Sequence, residues 1–282
     1  MTESQLNGRS RSRVVHGPPA LGIDVGGTGV KAAVVDTNSG ELLSNRIRLK
    51  TPVPATPQAV AQTTREIVDR LAAEGPLPAD LPVGCGLPGV VKEGRVLTVA
   101  NIDQGWLAVS AEEVLGDALG RRVIAINDAD AAGIAEMRLG AGRDRPGTVI
   151  LLTIGTGIGS AVFRDGVLLP NTEFGHLEMD GYAAETEWSG VARDRRGLKW
   201  KEWAAGFNGY LARVESYLWP DLLILSGGVS KSLVKFEAYL ETRAPVVPAH
   251  FLNTAGIVGA ALWATGVGSL TGQQVRDVLS PS

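Results

Sequence analysis

Apolar and polar positions along this chain lay out two sets of strands separated by helices. Leu21 to Val25 is an apolar run broken by one carboxylate, Asp24, and beyond a glycine-rich bend Val30, Ala32 and Val34 alternate with their neighbours. This pattern predicts a β-hairpin, a turn at Asn38-Ser39-Gly40 and a third strand within residues 41–50. Thr56 and Pro57 open a helix whose buried stripe is Val60, Ile67, Val68 and Leu71 and which stops before Gly75. A short strand near Val83 ends in Gly86-Leu87-Pro88-Gly89, Ser110 to Glu113 has the form of a capping box, and residues 123–126 form a strand that leads into a helix over 129–139. Val149 to Ile154 is a continuous apolar run, followed by glycines, a strand at 161–164 and an Asp165-Gly166 turn. A buried strand at 222–225 and a helix over 255–265, with Gly256, Gly259, Ala260 and Ala261 at close-packing spacing, complete the layout. Strands alternating with helices predict an α/β architecture.

Three glycine-rich bends at strand ends carry the candidate chemistry. In the first, Gly26 and Gly27 permit a tight turn with φ > 0 and let backbone N–H groups approach an anion. Thr28 adds a hydroxyl, Lys31 a cation, and Asp24 a carboxylate able to orient hydrated Mg²⁺. The second, Gly155-Thr156-Gly157-Ile158-Gly159, repeats the device; strand residues follow it, where a dinucleotide fingerprint would need a helix. The third, Ser226-Gly227-Gly228, ends a buried strand and is followed by Lys231. Three such sites suggest a nucleotide or polyphosphate lying between two lobes. Where the 123–126 strand runs out, Asp128 either accepts a proton from a hydroxyl substrate or caps the next helix; spacing alone leaves both open. Arg193, Arg195, Arg196, Lys199 and Lys201 form a basic run that is either a polyanion groove or a solvated surface.

Composition narrows the class. With 282 residues and 44% hydrophobic content, the chain can bury one large core or two ordinary ones. The formal charge of −3 argues against general nucleic-acid affinity. No apolar stretch is long enough for a membrane span. Cys85 is the only cysteine, which excludes an intrachain disulfide and a thiolate zinc cluster. Residues 1–18 are polar, contain no apolar signal core and are expected to form a disordered tail; a cytoplasmic location follows as the default.

Asp-x-Gly-Gly-Thr near the N-terminus, the Gly-Thr-Gly-x-Gly hairpin and the late Ser-Gly-Gly resemble the sugar-kinase/actin/Hsp70 superfamily, and Glu173-Phe174-Gly175-His176 is similar to the Glu-x-Gly-His segment of the ROK family of repressors and sugar kinases. Asn101 to Trp106 and the basic run at 192–198 further resemble the actinobacterial polyphosphate glucokinases. The resemblance implies a two-lobed, ribonuclease H-like fold with a ligand cleft between the lobes. The expected divisions are a small lobe at 19–128, a large lobe at 129–254, and a helix at 255–266 returning to the small lobe. It implies a hexokinase using polyphosphate, and ATP, to phosphorylate the 6-OH of glucose or mannose with Mg²⁺ and Asp128 as base. An ATP-only hexose or N-acylhexosamine kinase of the same fold is the alternative. By the same resemblance Asn101, Asn127, Glu173, His176 and Glu185 hold the sugar hydroxyls, with Gly89 bringing backbone amides near the ring. Glu185 is preferred to Glu187 because it stands four residues before Ser189. The family's structural zinc needs three cysteines near the histidine, and none follows Cys85, so none is expected here. The sugar-responsive repressors carry a helix-turn-helix domain ahead of the first hairpin, for which about twenty residues are too few. The working unit is expected to be a monomer or homodimer.

Overall fold

The computed structural model describes residues 17–266; the expected tail at 1–18 lies almost wholly outside the described residues. In the first half of the chain, β1 (Pro19–Gly26), β2 (Gly29–Asp36) and β3 (Ile47–Leu49) precede α1 (Pro57–Glu74), and β4 (Val83–Leu87) leads to a small ladder of β5 (Val91–Lys92) and β6 (Arg95–Val96). Then come α2 (Ala111–Leu119), β7 (Val123–Asn127) and α3 (Asp128–Leu139). The second half has β8 (Thr148–Ile154), β9 (Ile158–Arg164), β10 (Val167–Leu169), the short β11 (Glu178–Met179) and β12 (Tyr182–Ala183), α4 (Ala184–Trp188), α5 (Gly190–Arg195) and α6 (Trp200–Leu218). It ends with β13 (Leu222–Ser226), α7 (Gly227–Ser230), β14 (Val246–Pro248) and α8 (Ala255–Ala264).

Two five-stranded sheets share one topology. The first runs β3-β2-β1-β4-β7 and the second β10-β9-β8-β13-β14; in each, an antiparallel meander is followed by two parallel strands. Helices α1 and α2 cover the outer face of the first sheet, where Ile67, Leu71 and Leu115 pack on Leu21, Ile23 and Val25. Helix α6 covers the outer face of the second with Trp203, Phe207 and Leu211 against Ile150 and Leu152. Between the sheets lie α3 and α8, in a core of Ile126, Ile134, Leu151, Phe163, Ile257 and Val258. Apolar on nearly every side, α8 suits that doubly buried layer.

Glycine sets the spacing of this middle layer. A Cβ on Gly22 would stand 1.9 Å from the carbonyl oxygen of Ile257, one on Gly84 1.9 Å from that of Ala260, and one on Gly259 1.6 Å from that of Ala131. Backbone therefore touches backbone, and α3, which begins with Asp128, is fixed against α8 and the first sheet. Thr56 caps α1 through the N–H of Ala59, as its position suggests. The expected third strand at 41–50 shortens to Ile47–Leu49, with a single bridge from Leu42 to Val35. Ser110 caps α2 through the N–H of Glu113, while the neighbouring Glu112 accepts from the N–H of Ala125 and ties α2 to β7.

Candidate active site

The cleft between the two sheets, about 390 Å³, collects the three glycine bends and the acidic residues. The first bend is a two-residue turn between β1 and β2. Here the structure corrects an expectation: neither Gly26 nor Gly27 takes a positive φ. Gly27 is required by proximity, since a Cβ would fall 2.7 Å from Cβ of Asn101. The turn is braced from outside, where Arg48 donates to the carbonyl of Thr28 at 3.0 Å and the Thr51 hydroxyl donates to that of Gly26. The hairpin register sets Lys31 opposite Asp24, and the ammonium meets the carboxylate at 2.7 Å. Gly256, at the start of α8, leaves room for that carboxylate, since a Cβ there would come within 2.9 Å of the Asp24 Cγ.

Asp128 is the first residue of α3, and Asn127, not Asp128, caps that helix. The Asn127 side chain accepts from the N–H of Asp130 at 2.9 Å and donates to the carbonyl of Gly89 at 3.0 Å. Both ends of the buried amide are thus engaged in structure, so Asn127 has only its remaining N–H and lone pair for a ligand, less than its expected role assumes. The N-cap position therefore belongs to Asn127, and Asp128 lines the cleft. Burial pushes its pKa up to about 7, the Asp24 carboxylate adds to the rise, a hydrogen bond from the N–H of Ala129 opposes it, and Glu173 adds further. A carboxylate poised near neutrality at a strand's end is suited to take a hydroxyl proton.

Glu173, His176 and Glu185 form a row on one wall. His176 stands 3.7 Å from each carboxylate, Nδ1 toward Glu173 and Nε2 toward Glu185. Burial raises the pKa of Glu173, His176 opposes the rise and Glu185 reinforces it. The bend holding this row is built on β9: Ser160 Oγ donates to the carbonyl of Thr172 and accepts from the N–H of Phe174. Gly175 lies so close to β9 that a Cβ would meet the carbonyl oxygen of Ile158 at 2.0 Å, which gives the glycine of Glu-x-Gly-His its reason. Glu185 reaches the second glycine bend, accepting from the N–H of Ile158 at 3.0 Å, while Glu187 turns away to pair with Arg196 at 2.6 Å.

Asn101 lines the cleft with φ of 63°, a left-handed conformation that asparagine tolerates, and the buried Trp106 anchors its segment through a bond from Nε1 to the carbonyl of Ala55. Gly89 has φ of 145° and lies against Thr98, whose carbonyl oxygen a Cβ would meet at 2.1 Å. Gly155, Thr156, Gly157, Gly159, Gly227 and Gly228 all line the cleft as expected. Lys231 does not: α7 is a single turn, and the lysine that follows it is exposed outside the cleft lining.

The basic run also divides. Arg195 donates to the carbonyl of Thr186, and Arg196 binds Glu187 and lies over Trp188, so both clamp α5 to the short helix that carries Glu185. Arg193 instead faces a second cavity of about 390 Å³ that shares Gly155, Thr156 and Gly228 with the main cleft.

Three supporting residues escaped the sequence reading. Buried Asp130 accepts from the N–H of Asn171 at 2.7 Å; the Asn171 side chain accepts from the N–H of Val91 and donates to its carbonyl, joining the Glu173 loop to the β5–β6 ladder. Burial pushes the Asp130 pKa up to about 7. Fully buried Glu136 accepts from the N–H groups of Ala141, His250 and Phe251, fixing the segment that brings Leu252 and Asn253 to the cleft. Asp130 and Glu136 were visible as acids and Asn171 as an amide, but most of their backbone partners are contributed by other segments of the chain.

Residues 20–195 match the model of the ROK family. The chain belongs to the ROK family. This ROK protein is 49% identical over 243 residues to a polyphosphate glucokinase of Mycobacterium tuberculosis, covering 86% of this chain and 89% of that one. It superposes with a TM-score of 0.85 on the inorganic polyphosphate/ATP-glucomannokinase of Arthrobacter sp. strain KM, at 48% identity over 88% of this chain and 98% of that one. A ROK family glucokinase from Streptomyces griseus, crystallised with glucose and AMPPNP, matches with a TM-score of 0.75 and 26% identity over 88% of this chain and 99% of that one. No helix among the described residues is long and apolar enough to cross a membrane.

Proposed function

We propose that this ROK protein is a cytoplasmic glucokinase that transfers a phosphoryl group from inorganic polyphosphate, and from ATP, to the 6-hydroxyl of glucose. The observation that carries the reading is the position of Asp128, at a helix start in the cleft that the two glycine hairpins line, beside the Glu173–His176–Glu185 row. Phosphoryl transfer asks a protein for positioning, charge neutralisation and a proton acceptor, and this cleft has a candidate for each.

In this account the sugar is held by the carboxylates of Glu173 and Glu185, by His176 and by Asn101, each buried hydroxyl left unmatched costing about 1–3 kcal/mol. Asp128 takes the proton of the attacking hydroxyl. The backbone N–H groups and hydroxyls of the Gly27-Thr28 and Gly155-Thr156 turns stabilise the transferring group, and Lys31 adds positive charge near it. The cleft would hold Mg²⁺ through Asp24, whose carboxylate is a hard oxygen ligand able to bind the ion's waters. Bound there, Mg²⁺ would neutralise charge on the donor phosphates. The lobes, residues 19–128 with the helix at 255–266 and residues 129–254, close over the sugar to exclude water.

Initial rates with glucose, mannose and N-acetylhexosamines, each with polyphosphate and with ATP, test the reading. Glucose is expected to be phosphorylated with both donors, with the higher kcat/KM on polyphosphate. Turnover of N-acetylhexosamines alone, or of glucose with ATP alone, would replace it by an ATP-only kinase of the same fold.

A further inference from the structure

The second cavity continues from the glycine hairpin of the first, through Gly155, Thr156 and Gly228, and is lined beyond them by Val191, Arg193, Trp200 and Val229. A donor whose terminal phosphate lies in the main cleft has this cavity for its remainder. Arg193 is unusual within it. Its side chain is only 20% exposed and, among the described residues, its Nε is buried without a hydrogen-bond partner and its single ion pair, to Asp194 at 2.6 Å, is with a carboxylate that is itself largely in solvent. The guanidinium lies 3.8 Å from the centre of the Trp200 ring and so covers one aromatic face of the cavity. A buried guanidinium N–H without an acceptor is costly unless a ligand supplies one, and an arginine fork is suited to phosphate oxygens.

We propose that Arg193, stacked on Trp200, selects the phosphoryl donor by favouring polyphosphate over ATP. This rests on the donor reading above. A polyphosphate chain carries a negative charge on every unit and presents oxygens to Arg193 wherever it enters the cavity. ATP ends in a neutral base, which brings no phosphate oxygen to the Arg193 fork and finds one Trp200 face already covered. Elsewhere in the run, Arg195 and Arg196 are spent on α4 and Lys201 lies toward Tyr239.

The test is donor competition in Arg193→Gln, with Arg193→Lys as the charge-retaining control and glucose as acceptor. For Arg193→Gln, kcat/KM with polyphosphate is expected to fall at least about tenfold more than kcat/KM with ATP, as loss of one charge-assisted contact would give. The salt dependence of the polyphosphate reaction should become shallower, because one fewer cation meets the polyanion. Arg193→Lys should recover part of the donor ratio. Equal losses with both donors would mean that Arg193 only supports α5 and the Gly155 turn, and an unchanged ratio would remove it from donor contact; either overturns the proposal. Failure of the parent protein to use polyphosphate at all would overturn both this proposal and the donor reading, and is seen before any variant is made.

Discussion

Replacing Asp128 by asparagine separates two consequences of placing a carboxylate at a buried helix start. Asparagine keeps the volume and can still accept the N–H of Ala129, but it does not ionise and cannot hold the proton. Turnover with glucose is therefore expected to fall by roughly 10² to 10⁴ while glucose binding persists. Stability should move the other way. The folded-state pKa of about 7 lies above the ordinary 3.8, so the native protein favours the protonated acid. The associated stability is fully present below about pH 4 and is lost as pH rises through about 7. The shift corresponds to at most roughly 4 kcal/mol across that window. The variant escapes this loss, so its Tm relative to the parent's should climb between about pH 4 and 7 and then level, at about 2–4 °C per kcal/mol. Calorimetric melting across that range, with initial rates and glucose titrations on the same preparations, reads both effects. A Tm difference independent of pH would refute the assigned burial, and a fully active variant would remove Asp128 from proton transfer.

Other perturbations address the neighbouring parts. Glu185→Gln keeps an oxygen for the N–H of Ile158 but loses the charge facing His176; the apparent affinity for glucose should weaken by about 10- to 100-fold, the worth of a hydrogen bond to a charged group, as glucose KM or calorimetric titration would show. Because Asp24 raises the pKa of Asp128, Asp24→Asn should lower the Asp128 titration midpoint seen by carboxyl ¹³C NMR in the ligand-free protein; an unmoved midpoint would show that the two carboxylates do not interact. Gly259→Ala forces a methyl into the carbonyl of Ala131 and should cost about 1–3 kcal/mol or more in denaturant unfolding, with a further loss of activity because α3 carries Asp128. Glu136→Ala orphans three backbone N–H groups and should destabilise the fold by at least about 3 kcal/mol in the same assay.

What the sequence made legible was mostly local. A glycine pair between an apolar strand and an alternating one is written within ten residues, and so are both hairpin bends and the position of Asp128 at a strand's end. The choice of Glu185 over Glu187 depended on family spacing, and the structure sets the former in the cleft and the latter on Arg196. Lys231 falls outside the cleft lining because the helix before it is one turn long, a length that periodicity cannot reveal. Gly26 and Gly27 were assigned to left-handed backbone when the constraint at Gly27 is contact with Asn101, a residue from a different strand connection. The basic run looked like one surface, yet Arg195 and Arg196 become helix clamps and Arg193 a cavity residue once α4 and α6 are folded around them. Asp130 and Glu136 were visible only as acids and their roles were not, since their partners lie 41 to 115 residues away for all but one of their bonds.

The central claim is that one cleft delivers a phosphoryl group from polyphosphate to the primary hydroxyl of glucose through Asp128. Its most direct measurement is ³¹P and ¹³C NMR of glucose incubated with polyphosphate and Mg²⁺ in the presence of the parent protein or Asp128→Asn. The account predicts glucose 6-phosphate from the parent and almost none from a variant that still binds glucose. Phosphate on another carbon, no phosphoryl transfer from polyphosphate by the parent, or equal product from both proteins would contradict it.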